Sequence, residues 1–312
     1  MKVVVQVPCY NEEGTLHLVL SSIPKKIQGV DSVEILIIDD GSKDKTVEVA
    51  KKHGVKHFVI HKKNMGLARS FHDGVNYALS IGADIVVNTD GDNQYPQNRI
   101  GDLVQPILEG KAEIVIGDRQ TATIEHFSPL KKLLQRIGSN VVNRAAGTNL
   151  PDAASGFRAY SKEALMRLNI VTQFSYCMET IIQAGNKRIP IESIKIKTNQ
   201  KTRESRLFKN IWQHMYKSGS AIVRSYIMYR PHLIFISLGS FLLIAGLIPF
   251  VRYGILSLSG DQGNHFQSLL LGTVLLFSSL LAFSLTIIAD LTHTNRTLLE
   301  DTLERVKRME YK

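Results

Sequence analysis

Several absences narrow the possibilities before any motif is considered. The 312 residues hold two cysteines, Cys9 and Cys177, and one tryptophan, Trp212. Two thiols so far apart form neither a disulfide framework nor a metal-binding spacing, so both are expected to be small buried thiols in a reducing compartment. No Gly-x-Gly-x-x-Gly follows the first apolar run and no P-loop occurs, which removes the dinucleotide and Walker signatures. A secretory leader is not legible either. Val3–Val7 is ended by Pro8, too short for a signal core and without a small-residue cleavage site, so it reads as a first β-strand. The catalytic part is therefore expected in the cytoplasm.

What is present in excess is positive charge and apolar length. The net charge is +10, and hydrophobic residues make up 44%. Between Arg230 and Arg252 lie 21 residues without Lys, Arg, Asp or Glu, and between His265 and Asp290 lie 24. A helix needs about 20 apolar residues to cross a bilayer core, so two membrane spans are expected, at about 232–251 and 267–289, forming a hairpin over 231–290. Ahead of them, Lys201 to Arg230 carries seven Lys/Arg and one Glu, with Leu207, Phe208, Ile211, Trp212, Met215, Ile222, Val223, Tyr226 and Ile227 at helical spacing. Such a segment fits basic amphipathic helices lying in the membrane interface and facing anionic head groups. No nucleic-acid-binding module surrounds these charges, so no nucleic acid partner is expected. The Lys/Arg-rich flanks at 201–230 and 293–308 place both termini in the cytoplasm by the positive-inside rule. The tail at 291–312 reads as a cytoplasmic helix with Leu298, Leu299, Leu303, Val306 and Met309 on one face, available for pairing with a neighbouring copy.

Residues 1–200 read as a separate soluble domain. Apolar runs at Val3–Val7, Glu34–Asp39, His57–Ile60, Asp84–Asn88 and Glu113–Gly117 alternate with helical patterns near 13–23, 43–53, 66–80 and 97–109. Further helices fall near 130–146 and 175–185, and a strand near 189–197. This βαβα order predicts a mostly parallel sheet with helices on both faces. Such sheets bind ligands outside the carboxyl ends of their strands.

Three acidic clusters fall at those ends. They are Pro8-Cys9-Tyr10-Asn11-Glu12-Glu13, then Asp39-Asp40-Gly41-Ser42-Lys43-Asp44-Lys45-Thr46, then Asp90-Gly91-Asp92-Asn93-Gln94. Each alone is an ordinary turn, with Asp44 a plausible helix cap. Three at one sheet edge would repel one another without a counter-charge, and a divalent cation supplies one. Mg²⁺ or Mn²⁺ takes oxygen ligands, commonly one or two carboxylates with phosphate oxygens, and stabilises charge on a departing diphosphate. Asp90, Asp92 and the Gln94 amide oxygen are the candidate metal ligands, and Asp39 is placed to accept hydrogen bonds from a base or ribose.

These three motifs, in this order and spacing, resemble the GT-A fold of family-2 glycosyltransferases. Gly117-Asp118-Arg119, Asp152 with Ser155-Gly156-Phe157-Arg158, Arg203-Glu204-Ser205-Arg206-Leu207 and the C-terminal hairpin resemble the dolichyl- and polyprenyl-phosphate subgroup, and the likeness runs through essentially the whole chain. The resemblance implies that Pro8, Tyr10, Glu12 and Asp39, with Asp40 and Gly91 beside them, line the donor pocket. It implies that Asp90 and Asp92 hold donor and metal and, with Arg119 and Arg203, carry catalysis. Arg119, Arg136, Arg203, Ser205, Arg206 and Lys209 would meet the acceptor or its phosphate. Two positions depart from the family pattern: Glu204 stands where a Gly is common, and Arg206 where a Lys is.

Bland counterparts stand beside these roles. Arg158 could simply pair with Asp152, and the basic helix carrying Lys131, Lys132, Arg136 and Arg144 could be a solvated face rather than a flap over an acceptor phosphate. None of the ten histidines is assigned a role. The implied reaction is inverting transfer of a sugar from a UDP- or GDP-sugar to a polyprenyl phosphate. The alternatives are another membrane acceptor, such as a glycolipid hydroxyl, or a non-catalytic membrane scaffold with a decayed transferase domain. A processive polysaccharide synthase is disfavoured because Trp212 is not part of a Gln-x-x-Arg-Trp motif.

Overall fold

The computed structural model describes residues 1–121, 129–170, 176–199, 220, 231–259, 263 and 265–311. It separates into two compact units, Met1–Val223 with Leu303–Lys312, and Arg224–Thr302. The expected interfacial segment at 201–230 lies outside the described residues, apart from Ser220.

The first unit is built on a seven-stranded sheet of order β3-β2-β1-β4-β6-β5-β7. Its strands are β1 (Lys2–Cys9), β2 (Ser32–Asp39), β3 (His57–Ile60), β4 (Ile85–Asn88), β5 (Ile114–Asp118), β6 (Arg158–Ser161) and β7 (Ile191–Lys195). Strands β3, β2, β1 and β4 run parallel, as do β5 and β7, while β6 is antiparallel to both its neighbours. Val3, Val4, Val5 and Val7 are all fully buried, which is the continuous apolar run of a strand covered on both faces.

The helices of this unit are α1 (Leu16–Ser22), α2 (Thr46–Lys52), α3 (Leu67–Ser80), α4 (Ile100–Leu108), α5 (Pro129–Ala146), α6 (Lys162–Arg167) and α7 (Tyr176–Asn186). The helix expected at 13–23 starts later because the Glu12 carbonyl accepts the amides of Thr15 and Leu16, spending the first residues in a turn. The one expected at 43–53 starts at Thr46, whose amide is capped by Asp44 Oδ1 at 3.0 Å. On α3 the residues Ala68, Phe71, Val75, Ala78 and Leu79 recur at helical spacing on the buried face. The elements β6 and α6 are additions to the sequence-based outline.

The second unit is a pair of helices, α8 (Pro231–Leu258) and α9, which runs unbroken from Phe266 to Glu310. Both are long and apolar enough to cross a bilayer. In their mutual interface small residues on one helix receive large side chains of the other. A β-carbon on Gly272 would lie 2.7 Å from the Phe250 ring, and one on Gly239 would lie 2.8 Å from the Phe283 ring. Ser279 is buried and donates to the Gly239 carbonyl at 2.8 Å. Small residues that let backbones approach, with a hydroxyl bonded across the pair, are the packing mode of membrane helices. The large apolar side chains, including Phe241, Ile244 and Ile248, face outward and are exposed. The second span and the tail, expected as separate segments, form one 45-residue helix because nothing after Ala289 breaks the helical pattern.

The last residues, Leu303–Lys312, cluster with the sheet unit. There Lys307 Nζ donates to the Leu168 carbonyl at 2.7 Å and to Asn169 Oδ1 at 2.9 Å. Arg308 forks onto Glu163 of α6.

Candidate active site

The carboxyl ends of β1, β2 and β4 place the three acidic loops side by side. The first loop turns sharply at Asn11, whose φ of 56° is left-handed, a conformation Asn tolerates better than most residues. The turn lets the first and second loops interlock. The Asn11 amide donates to Ser42 Oγ at 2.9 Å, and Asn11 Oδ1 accepts the Lys43 amide at 2.8 Å. The Glu12 amide donates to Thr46 Oγ1 at 2.8 Å, the Glu13 amide to Asp44 Oδ2 at 3.1 Å, and the Lys45 amide to Glu13 Oε2 at 3.0 Å. Burial pushes the Asp44 carboxyl up, but the hydrogen bonds from Thr46 and the Glu13 amide outweigh it and leave the group below its ordinary value. Much of the acidic spelling of these two loops therefore serves to tie them together.

The third loop packs directly on the first. A β-carbon on Gly91 would come within 3.2 Å of Cys9 Sγ and 3.2 Å of Glu12 Cγ. Thr15 Oγ1 donates to the Gly91 carbonyl at 2.8 Å and to Glu12 Oε2 at 3.0 Å. The buried Cys9 thiol registers the convergence. It is held well above its usual value by burial first, then by the negative charges of Glu12, Asp39 and Asp90. One carboxylate from each of the three loops contributes to that shift.

Asp39 and Asp40 differ sharply in what they hold. Asp40 is buried and fully engaged: Oδ1 accepts the Met65 amide at 2.8 Å, Oδ2 accepts the Gly66 amide at 2.9 Å, and His61 Nδ1 lies 2.8 Å from Oδ1. It fastens the 61–66 loop to the sheet edge. Gly41, at φ 76°, makes room for that loop, since a β-carbon there would overlap the Lys63 carbonyl carbon at 2.7 Å. Asp39 is equally buried, yet only Oδ2 is satisfied, by the Ser42 amide at 3.3 Å. Its Oδ1 is buried and has no hydrogen-bond partner among the described residues. An unsatisfied buried carboxylate oxygen is costly unless a ligand's N–H or O–H completes it.

Asp90 and Asp92 follow β4, each partly exposed at the edge. Asp92 Oδ1 accepts the Gln94 amide at 3.1 Å, and Asn93 takes a left-handed φ of 57°, so the loop doubles back on itself. Among the described residues no group of three or more His, Cys, Asp or Glu side chains gathers into a cage. Two carboxylates on one loop suit a Mg²⁺ or Mn²⁺ ion that takes its remaining ligands from a diphosphate and water, and would not suit a structural metal. The donor set therefore fits the expected ion.

Residues that sequence reasoning did not single out hold this loop. Asn199 spans it: its amide donates to the Gln94 carbonyl at 2.9 Å, and its Nδ2 donates to Asn93 O at 2.9 Å and Tyr95 O at 3.1 Å. The buried Asn88 at the end of β4 donates to Gly156 O at 3.0 Å and Tyr176 Oη at 2.7 Å. Tyr95 Oη accepts the Gly156 amide at 2.9 Å, and its ring stacks on Phe157. The Ser155-Gly156-Phe157 run is thus bolted beneath the third loop. Tyr95 directly follows the Asp-x-Asp-x-Gln run, which was its one local signal.

The arginines resolve differently from the simplest expectation. Asp152 pairs with Arg119, not Arg158. Arg119 Nε lies 2.7 Å from Asp152 Oδ2 and Nη2 lies 2.9 Å from Oδ1. Burial pushes Asp152 up, but Arg119 beside it holds the carboxyl below its usual value. Arg158 is fully buried and spends its guanidinium on the carbonyls of Ser155, Cys177 and Ala153 and on Thr180 Oγ1. It cross-links β6 to α7 and does not reach the edge. Arg136 lies exposed on α5. Arg203, Ser205, Arg206 and Lys209 lie outside the described residues.

Residues 4–168 match the model of the family described as glycosyl transferase family 2. The chain is 30% identical over 213 residues to a UDP-N-acetylglucosamine–dolichyl-phosphate N-acetylglucosaminyltransferase of Methanococcus voltae, spanning 62% of this chain and 83% of the relative. It is 31% identical over 199 residues to a dolichol-phosphate mannosyltransferase of Pyrococcus furiosus, spanning 61% and 54%. A dolichyl-phosphate hexose transferase of Haloferax volcanii is 27% identical over 198 residues, spanning 64% and 83%. In fold, the chain is similar to glucosyl-3-phosphoglycerate synthase from Mycobacterium tuberculosis, crystallised with Mn²⁺, UDP and phosphoglyceric acid. The TM-score is 0.55 at 19% identity, covering 72% of this chain and 77% of that one. The likeness to that structure supports the GT-A fold of the sheet unit.

Proposed function

The chain belongs to glycosyl transferase family 2, and from that premise we propose that it transfers a sugar, with inversion, from a UDP- or GDP-sugar to the phosphate of a polyprenyl lipid in the membrane. The observation that carries this is the packing of three acidic loops at one sheet edge, where Asp39 Oδ1 is buried and has no hydrogen-bond partner among the described residues. The relatives named for dolichyl-phosphate acceptors support the acceptor, and the two apolar helices support the location.

In this account Asp39 accepts a hydrogen bond from the base or ribose of the donor, and Tyr10, at the rim, and Pro8 flank the nucleotide. Glu12 and Gly91 shape the pocket floor. Asp40 acts one step back, holding the 61–66 loop. Asp90, Asp92 and Gln94 would hold Mg²⁺ or Mn²⁺, which screens the diphosphate and so makes the nucleotide a better leaving group.

The acceptor needs little activation. A phosphomonoester has a second pKa of about 6, so it is mostly dianionic at neutral pH. One of its oxygens attacks the anomeric carbon from the face opposite the diphosphate. The bond from that carbon to the diphosphate oxygen breaks through an oxocarbenium-like transition state, and the nucleoside diphosphate leaves. No proton has to be removed from the nucleophile, so the protein's work is positioning and charge stabilisation. Arg119 would meet phosphate through Nη1, since Nε and Nη2 are committed to Asp152. Arg203 is the second catalytic candidate, with Arg136, Ser205, Arg206 and Lys209 as further acceptor contacts.

The two spans form a hairpin with the sheet unit and both termini in the cytoplasm. Leu298 and Leu299, exposed on α9, leave a face for a second copy.

The test is transfer itself. Full-length protein in detergent, with Mg²⁺ or Mn²⁺, is given labelled UDP- and GDP-sugars with undecaprenyl or dolichyl phosphate. Label entering the lipid phase establishes the class and names the donor. Nucleotide binding without transfer would direct the search to a glycolipid hydroxyl, and absence of binding would leave only a scaffold role.

A further inference from the structure

The helix α5 presents an apolar stripe that the catalytic account does not use, next to Arg136, which that account gives to the acceptor. Leu133, Ile137 and Val141 follow one another at intervals of four, so they rise along one side of the helix, and all three are exposed. Arg136 and Arg144 project from the same exposed side. The helix contains no Asp or Glu. Its opposite side is fixed: Ser139, Val142, Ala145 and Ala146 are buried. At Gly185 the helix α7 comes so close that a β-carbon would overlap the Ala146 carbonyl oxygen. The outward face is therefore preset rather than adopted on contact.

An apolar stripe edged by arginines and free of acid has a specific complement. Water solvates the arginines but not three large aliphatic side chains, and a basic protein surface would repel the arginines. A bilayer surface rich in anionic lipid satisfies all five at once. The aliphatic groups enter the acyl boundary, and the guanidinium groups reach up along their apolar stems to lipid phosphates. We propose that α5 is a second membrane contact of the sheet unit, docking through Leu133, Ile137 and Val141 onto anionic lipid, in addition to the spans. Two arginines at such a surface favour anionic over neutral head groups by roughly thirtyfold in local partition. The proposal rests on the reading that α8 and α9 cross a bilayer.

The experiment uses the full chain in nanodiscs. Ile137→Cys is labelled with an environment-sensitive fluorophore; the native Cys9 and Cys177 are both buried. Leu18→Cys on α1 serves as a solvent control, and Ile244→Cys on α8 as a lipid control. The account predicts blue-shifted emission at 137, quenching by a lipid-borne nitroxide and protection from aqueous iodide, all stronger in phosphatidylglycerol-containing discs than in pure phosphatidylcholine. Iodide quenching at 137 equal to that at 18 would show a solvated face and overturn it. Protection from both quenchers would show that protein covers the stripe, either the 201–230 segment or a second copy, and would overturn it as well. A label at 244 out of reach of the lipid quencher would instead sink the membrane reading on which the proposal depends. As a functional counterpart, Leu133→Glu with Ile137→Glu is expected to reduce transfer to an acceptor embedded in anionic bilayers while leaving transfer to a short-chain acceptor in detergent unchanged. Equal loss in both settings would contradict the proposal.

Discussion

In the sheet unit, Val3, Val4, Val5, Ile37 and Ile38 are fully buried, and the polar groups gather at one edge. In the α8–α9 pair the arrangement is inverted: Gly239, Gly272 and Ser279 make the contact, while Phe241, Ile244 and Ile248 point outward. The two regions draw on the same apolar alphabet. On the proposed membrane reading, what differs is the solvent each answers to. Water drives large side chains inward in the sheet unit, whereas lipid tails are as apolar as leucine, so the helices gain from close backbone approach instead. The sheet unit concentrates its charged chemistry where the fold leaves an opening, whereas residues 231–251 and 266–289 of the helix pair hold no Lys, Arg, Asp or Glu.

The largest expected effect lies at that opening. Asp92→Ala should lower sugar transfer by about 10²–10³-fold or more, the range seen when a charge-stabilising group is removed. Nucleotide-diphosphate binding, followed calorimetrically with and without Mn²⁺, should lose its metal dependence while the fold stays intact. Unchanged transfer would erase the functional distinction between the acidic edge and the rest of the unit.

Next comes the Arg119–Asp152 fork. Asp152→Ala strands a largely buried guanidinium and should destabilise the sheet unit by about 3–5 kcal/mol in denaturant titrations. The fork also fixes a pH dependence. Asp152 is depressed in the folded state, so the unfolded chain binds its proton first as pH falls. The stabilisation is fully present above the ordinary carboxylate range, near pH 4, and is lost as pH drops through the lower folded value. Thermal unfolding between pH 6 and pH 3 should fall more steeply for the native chain than for Asp152→Asn.

A probe of the other region comes third. Gly272→Leu drives a side chain into the Phe250 ring and should weaken the helix pair by about 1–3 kcal/mol, as overpacking does. Forced separation of α8 and α9 in bicelles would read this, and nucleotide binding by the sheet unit should not change. A parallel loss of nucleotide binding would show that the two regions are coupled.

The smallest effect is expected at Asn199. Asn199→Ala removes two side-chain hydrogen bonds to the Asn93 and Tyr95 carbonyls but keeps the backbone bond to Gln94. Each bond contributes about 0.5–1.5 kcal/mol to the shape of the loop, of which only a share reaches the ligand, so metal-dependent nucleotide affinity should fall a few-fold to about tenfold. An unaltered dissociation constant would mean that the third loop holds its shape without this strap.

How far the sequence reveals all this depends on the kind of interaction. Strands such as β1 and β3 were legible because an apolar run between turns is a local signal. Strand β6 was not: Arg158-Ala-Tyr-Ser places a fully buried arginine in the middle of a sheet, and only its distant partners, the Cys177 carbonyl and Thr180, make that tolerable. The three acidic loops could be read as converging because each follows a strand. Which carboxylate is tied up and which is left open could not, since Asp39 and Asp40 are adjacent and differ only in what the 61–66 loop brings to them. His61 belongs to that loop, and nothing in its neighbours marks it. Likewise Asp152 chooses Arg119 over Arg158 through sheet geometry across 33 positions, for which no periodicity exists.

The most direct measurement pairs two acceptors of equal chain length, a polyprenyl phosphate and the corresponding polyprenol, with one labelled donor and the full-length protein. The account predicts that label enters only the phosphate, that the product has the anomeric configuration opposite to the donor's, and that Asp92→Ala abolishes it. Transfer to the free alcohol at a comparable rate would contradict a mechanism in which the acceptor supplies its own negative charge.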